Sequence, residues 1–349
     1  MTAATNDGER PLGLAFIGCG GVTRLHTRFL RRDRGLRRWY ASREPARAAE
    51  FSRQLAGAGA FGSYDHAFAS SDVDAVVIAT PPDSHLELTL RALGAGKHVV
   101  VEKPPFLRVE DFDTVRRARE DAGRRVMVAE NYYYKPVAIA LRESIAAGDI
   151  GEVRLVTVNA LKEQRATSWR ADAARSGGGA MFEGGIHWVD FMANLGLPVA
   201  SVHGFRAGRM RSAGDLDTTM VVVFRYATGA VGTLYYSWEI GSPLKGLRLS
   251  AVYGTEGTIT FESNGILVAV RGRRRRLRMP GLDVAGYAGM WRDFLPALRA
   301  NSEPRYDFEL ARRDLALTAA VYDSLEPPVA APSGQAGREG IAMPNRFLP

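Results

Sequence analysis

At 349 residues the chain is long for one compact domain, and at roughly 100 to 200 residues per domain it implies two. Its residues are 46% hydrophobic and 24% charged, and no apolar run approaches the ~20 residues of a bilayer span, so a membrane protein is not expected. The single cysteine, Cys19, excludes an internal disulfide and a cysteine-based metal site, and 46 Lys and Arg against 38 Asp and Glu give a net charge of +8 that favours anionic ligands.

The opening MTAATNDGER lacks the basic start and apolar stretch of a secretory signal, so residues 1–11 read as a disordered lead-in and the expected location is cytoplasmic. From there LGLAFIG, RRWYA, DAVVIAT and KHVVVEK read as buried parallel strands, rich in Val, Ile and Ala and bounded by Gly, Pro or charge. Helical spacing falls between and after them, at residues 24–32, 45–55, 84–93 and 109–122. That alternation implies a doubly wound α/β domain over residues 12–131, closed by the strand RVMVAEN. A helix follows at 136–147, and Gly148 and Gly151 punctuate the chain. Past Gly151, RLVTVNALKE, TTMVVVFRYA, AVGTLYYSWE, LRLSAVYG and GTITFES alternate as in a mostly antiparallel sheet. Helices at 181–195 and 308–325 complete a second domain over residues 132–326, and 327–349 read as an extended, Pro- and Gly-rich tail.

Arg271 and the run Arg273 to Arg276 sit between ILVAV and LRMP, which look like a hairpin, so they read as a solvated basic turn. No interleaved aromatics or recognition motif accompany them, and a nucleic-acid partner is not expected.

The glycines of FIGCGGVTRLH follow a strand and precede a helix. Gly18 permits the tight turn and Gly20 lets backbone approach a pyrophosphate at the helix N-terminus, the arrangement of a Rossmann dinucleotide site. The third position of the GxGxxG fingerprint is Thr23, which predicts looser packing of helix on strand. At the end of the second strand, Ser42 and Arg43 stand where a carboxylate would bind the ribose 2′-OH of NAD. A hydroxyl and a guanidinium suit a 2′-phosphate, so NADP(H) is favoured over NAD(H), although Glu44 is adjacent. In ATPPDSH, Thr80 ends a strand and Pro81 and Pro82 stiffen a wall against the cofactor. VVVEKPP puts Glu102 and Lys103 at another carboxyl strand end, where ligands of open α/β sheets bind.

In SGGGAMFEGGIHWVD, Glu183 and His187 are four apart and share a helix face, with Asp190 three further on. A histidine exchanges a proton with a carbinol near neutral pH, and Glu183 is placed to orient it or tune its pKa. Two such ligands without a third do not make a metal site. Just upstream, Trp169, Arg170 and Arg175 are candidate substrate contacts, with surface charge as the plainer alternative for the arginines.

Together, GCGG, TPPDSH, EKPP, AENYYYKP, GDIGEV and WRADAARSGGGAMFEGGIHWVD resemble the glucose-fructose oxidoreductase, inositol dehydrogenase and MocA family over residues 12–325. The resemblance implies an N-terminal Rossmann domain joined to an α+β domain with a large, mostly antiparallel open sheet that often supports dimers or tetramers. It implies that Lys103 binds the reacting oxygen and that His187 is the acid/base. The cofactor set expected alongside Gly18, Gly20, Ser42, Arg43, Thr80, Pro81, Pro82, Glu102 and Lys103 includes Gly21, Val22, His85 and Asn131. The substrate set is Lys103, Trp169, Arg170, Glu183 and His187. Glu183 stands where the family usually has Asp, which puts the pocket's shape in question. The implied activity is NADP(H)-dependent hydride transfer to or from a sugar, cyclitol or related small molecule. A cofactor-dependent glycosidase of the same fold and a non-catalytic cofactor sensor are the alternatives.

Overall fold

The computed structural model describes residues 10–208, 216–242, 246–279, 281 and 283–325. The expected tail and nearly all of the lead-in lie outside the described residues.

Six strands, β1 (Leu12–Ile17), β2 (Leu36–Ala41), β3 (Gly59–Phe61), β4 (Ala75–Ile78), β5 (His98–Val101) and β6 (Val126–Val128), form a parallel sheet in the order β3-β2-β1-β4-β5-β6. Its connections carry α1 (Gly21–Leu30), α2 (Pro45–Gln54), α3 (Tyr64–Ala69), α4 (His85–Gly94) and α5 (Asp111–Ala122). Every residue of β1, β4, β5 and β6 is buried, which is why these strands read as continuous apolar runs with no alternation. The strand order reverses between β1 and β4, so their carboxyl ends open the crevice in which ligands of such sheets bind.

The second unit holds α6 (Pro136–Ala146), β7 (Val153–Leu161), α7 (Ala173–Ser176), α8 (Ile186–Ala193) and seven further strands. These are β8 (Val199–Arg206), β9 (Thr219–Tyr226), β10 (Val231–Ser237), β11 (Leu249–Gly254), β12 (Gly257–Glu262), β13 (Val268–Arg271) and β14 (Arg275–Arg278). With β7 they form an eight-stranded sheet, β14-β13-β12-β11-β7-β10-β9-β8, antiparallel throughout except where β7 meets β10. One face packs on α6 and α8 through Leu141, Val156, Trp188, Met192, Phe224 and Ile259. On the other, Leu155, Phe205, Tyr235, Leu249 and Tyr253 fall in register and are exposed.

Two closing helices, α9 (Tyr287–Arg299) and α10 (Phe308–Asp323), return to the first unit. Met290, Trp291, Phe294, Phe308 and Leu315 join the core under the parallel sheet, while Val321 belongs to the core under the larger one. The two cores are thus tied together by α10.

The basic segment forms the expected hairpin, with Arg271 opposite Arg275, but it is not simply solvated. Arg273 pairs with Glu256, and Arg274 and Arg276 lie 3.8 and 3.9 Å from the buried carboxylate of Asp149. Among the described residues, no helix is long and apolar enough to cross a membrane.

Candidate functional site

A cleft of about 900 Å³ opens along the carboxyl ends of β1, β2, β4 and β5 and runs under the segment Ser168–Arg175 to α8. Gly18, Gly20, Gly21 and Val22 line its near end. Gly18 adopts φ +105°, and a Cβ there would lie 2.8 Å from the Ala79 carbonyl, so only glycine fits. Gly20 and Gly21 face open space, and α1, with Gly20 at its N-cap, has no side-chain cap and no acidic residue in its first turn. Its free N–H groups are therefore available to an anion. Thr23 does not loosen this turn: it is fully buried and its hydroxyl donates to the Gly18 carbonyl at 2.7 Å, bracing the turn against the helix.

At the end of β2 the cleft is lined by Ser42, Arg43, Glu44, Arg47 and Tyr64. The Ser42 hydroxyl oxygen accepts from the Glu44 N–H at 3.2 Å, which leaves its own hydrogen free to donate. Arg47, unanticipated from sequence, donates from Nε to the Cys19 carbonyl at 2.9 Å, anchoring its guanidinium beside the glycine turn. The anion-ready turn and the two arginines fit a dinucleotide phosphate chain.

Thr80, Pro81, Pro82, Glu102 and Lys103 line the middle of the cleft. His85 does not: its ring is fully buried, with Nδ1 and Nε2 each 2.9 Å from a backbone carbonyl, of Pro104 and Thr80. It clamps the two strand-end loops together. Asn131 is also buried away from the cleft and donates to the Ala285 carbonyl at 2.6 Å, fixing the approach to α9. Behind Glu102, Trp291 Nε1 donates to His26 Nδ1 at 3.0 Å. Indole is donor-only, so the proton of a neutral His26 is on Nε2, which donates to Glu102 Oε1 at 2.5 Å. Burial opposes ionisation of Glu102, but the His26 bond and the charge of Lys103 outweigh it and hold the carboxyl below its ordinary range.

At the far end, Lys103 Nζ donates to the Glu183 carbonyl at 2.7 Å and lies 3.7 Å from Glu183 Oε1. Arg170 Nε donates to the same carboxylate oxygen at 2.9 Å and its guanidinium stacks 4.3 Å over Trp169. Burial opposes the Glu183 charge, yet Lys103 and Arg170 pull its pKa down to about 2. Arg175 is held by Asp83 at 3.2 Å.

Of the two roles expected of Glu183, orienting His187 is corrected, while its charge does act on the His187 pKa, raising it against burial and Lys103. Met181–Gly185 winds as a π-helical turn before α8, and Glu183 uses its carboxylate on Arg170 and Lys103. His187 turns instead to Glu130, whose Oε1 and Oε2 lie 2.6 and 2.9 Å from its Nδ1. The Tyr132 ring stacks on the imidazole at 4.3 Å and 12°. Burial and the charge of Lys103 push the His187 pKa well below its ordinary value, so the ring is neutral. Burial raises Glu130 to about 8, against the opposing Tyr132 N–H bond and the charge of Lys103. Asp190 does not line the cleft: it is buried behind Glu130 and accepts from Asn194 Nδ2 at 2.7 Å.

The triple glycine is explained by packing: a Cβ on Gly179 would lie 2.2 Å from Asp217 Oδ1 and 2.4 Å from its backbone nitrogen. Tyr287, the first residue of α9, also lines the cleft. Sequence reasoning missed Glu130, although a carboxylate closing a parallel strand, as Glu102 does, was a signal available in VMVAEN.

Residues 12–130 match the model of an oxidoreductase family with an NAD-binding Rossmann fold, and residues 138–260 match the GFO/IDH/MocA C-terminal domain. Inositol 2-dehydrogenase of Rhizobium meliloti (strain 1021) is 29% identical over 82% of both chains. Levoglucosan dehydrogenase of Pseudarthrobacter phenanthrenivorans is 25% identical, and the match spans 65% of this chain and 65% of that protein's length. A crystal structure of an oxidoreductase domain protein from Kribbella flavida superposes with a TM-score of 0.79 at 22% identity, over 90% of this chain and 97% of the other.

Proposed function

The chain belongs to the GFO/IDH/MocA oxidoreductase family, and from that membership we propose that it is an NADP(H)-dependent oxidoreductase of a polyol, sugar or cyclitol and its carbonyl form. The observation that carries the proposal is the convergence of Lys103 and His187, from separate units of the fold, on a cleft that begins at an open, uncapped glycine turn. The relatives named for inositol and levoglucosan support a polyhydroxylated substrate.

The nicotinamide, when bound, supplies or accepts the hydride. The chain's own residues do the rest. The α1 N-terminus and the Gly18–Val22 turn bind the pyrophosphate, and Ser42, Arg43 and Arg47 take the 2′-phosphate. Thr80, Pro81 and Pro82 form a stiff wall. Lys103, held by Glu183, presents its ammonium to the reacting oxygen and stabilises charge developing there. His187 gives that oxygen a proton in reduction and takes it in oxidation. Trp169 and Arg170 close the substrate end. The exposed sheet face carrying Leu155, Phe205, Tyr235, Leu249 and Tyr253 supports a homodimer or homotetramer.

The test is a panel of inositols, anhydrosugars, sugars and diols with NADP+ and NAD+, and of their keto forms with NADPH and NADH, followed by nicotinamide absorbance. At least one pair is expected to turn over, faster with the phosphorylated cofactor. Absence of cofactor binding in a calorimetric titration would refute the proposal.

A further inference from the structure

We propose that Glu130 is the proton store of this site, its carboxyl carrying the proton that His187 relays to, or receives from, the reacting oxygen. The inference rests on the assignment of His187 as the acid/base. Glu130 lies two residues past β6, is 2% exposed, and brings both carboxyl oxygens to the one ring nitrogen of His187 turned away from the cleft. Its Oε1 also accepts from the Tyr132 N–H at 2.9 Å, so the carboxyl is fixed from two sides. The Tyr132 ring lies stacked and nearly parallel against the imidazole and limits its rotation.

The groups facing Glu130 come from every element around it. Lys103 and Glu102 approach from the end of β5, Lys135 and Tyr132 from the turn after β6, His187 and Asp190 from α8, Tyr287 from α9, and Tyr306 from the segment before α10. Glu102 opposes a second negative charge here, while Lys103 and Lys135 favour one. Burial exceeds both and leaves the carboxyl protonated at neutral pH, beside an imidazole that burial and Lys103 keep neutral.

This arrangement fixes the tautomer. A protonated Glu130 donates to His187 Nδ1, which must then be an acceptor, so the ring hydrogen is on Nε2. In reduction the Nε2–H bond breaks as the substrate O–H bond forms. The Glu130 O–H bond breaks as an Nδ1–H bond forms, leaving a carboxylate and a neutral imidazole. No imidazolium persists beside Lys103. Oxidation runs the same transfers in reverse, with Glu130 starting as the carboxylate. Between turnovers, water in the cleft returns a proton to Nε2 and the Nδ1 proton goes back to Glu130.

The test needs no substrate. The full chain is labelled with ¹⁵N at histidine, His187 is assigned by its loss in His187→Asn, and the ring nitrogens are followed against pH with and without NADP+. The inference predicts the Nε2–H tautomer in acid and the Nδ1–H tautomer in alkali. The ratio should invert from about 10:1 to about 1:10 over one pH unit either side of the Glu130 midpoint near 8. Glu130→Gln should freeze one tautomer across that range. An imidazolium at low pH, or one tautomer throughout in the unmodified protein, would overturn the inference. Since the unmodified protein alone decides this, a poorly folding variant does not weaken the test. An inactive substrate panel would count against the oxidoreductase proposal and leave this titration unaffected.

Discussion

Cofactor choice can be perturbed at two residues whose settings differ. Arg43 and Arg47 are both exposed at the rim of the cleft, so the attraction of either for a 2′-phosphate is screened by water, and what separates them is how each guanidinium is held. Arg47 is tethered through Nε to the Cys19 carbonyl, and its remaining nitrogens are preorganised. A charged hydrogen bond is worth about 1.5 to 3 kcal/mol, so Arg43→Ala belongs at the low end, about tenfold in NADPH affinity, and Arg47→Ala toward the high end, about a hundredfold. NADH affinity should change less than about threefold in Arg43→Ala, since a ribose hydroxyl offers that guanidinium no charge to bind. Arg47 is close enough to the turn to touch the pyrophosphate as well, so its variant should weaken NADH in part. Calorimetric or fluorescence titration of both cofactors, repeated at high salt, measures each loss. Equal affinity of the unmodified protein for NADPH and NADH, or an Arg43→Ala variant that weakens both alike, would refute the assignment.

Three further outcomes are expected. Gly18→Ala must place a Cβ 2.8 Å from the Ala79 carbonyl at φ +105°, strain of about 1 to 3 kcal/mol that should lower cofactor affinity at least about tenfold by titration. Glu183 is held near pKa 2, below its ordinary 4.5, so its stabilisation is present above pH 4.5 and is lost as pH falls toward 2. That is about 3 kcal/mol, and the gap in thermal midpoint between the unmodified protein and Glu183→Gln should close over this range. In the basic hairpin, Arg275→Ser should shift stability by less than about 0.5 kcal/mol. Replacing both Arg274 and Arg276 weakens compensation of buried Asp149 and should cost about 1 to 2 kcal/mol in urea unfolding, with turnover unchanged.

The parallel sheet was legible because β1 and β4 are apolar at every position and β5 at every position but its first, His98, and the glycine turn because it lies between a strand and a helix. What escaped was β3, three residues of Gly-Ala-Phe with no period, and β8, whose VASVHGFR is broken by Gly204. Helix α9 escaped because it contains Gly289 and Pro296, which local propensity reads as breaks. Its Trp291, Phe294 and Leu298 are buried in the first core, and tertiary packing overrides that propensity. At the site, Lys103 and His187 stood out by type and position, but partners did not. Glu130 and His187 are 57 residues apart, and no spacing rule connects them. Glu183 is near His187 in sequence, yet the closest available cations, Lys103 and Arg170, claim its charge. His85 and Asn131 lie beside cleft-lining segments but turn inward to backbone carbonyls.

The proposed chemistry turns on the joint action of Lys103 and His187 on one reacting oxygen. It is tested by steady-state turnover of the best carbonyl in the panel by the unmodified protein, Lys103→Ala, His187→Ala and the double variant, each saturated with NADPH. Each single substitution should reduce turnover by about two to four decades, the scale of a lost acid/base group, with cofactor affinity largely kept. The double variant should lose far less than the product of the two factors, because groups serving one step are not additive. A folded, NADPH-saturated His187→Ala protein running at the unmodified rate would overturn the assignment of His187.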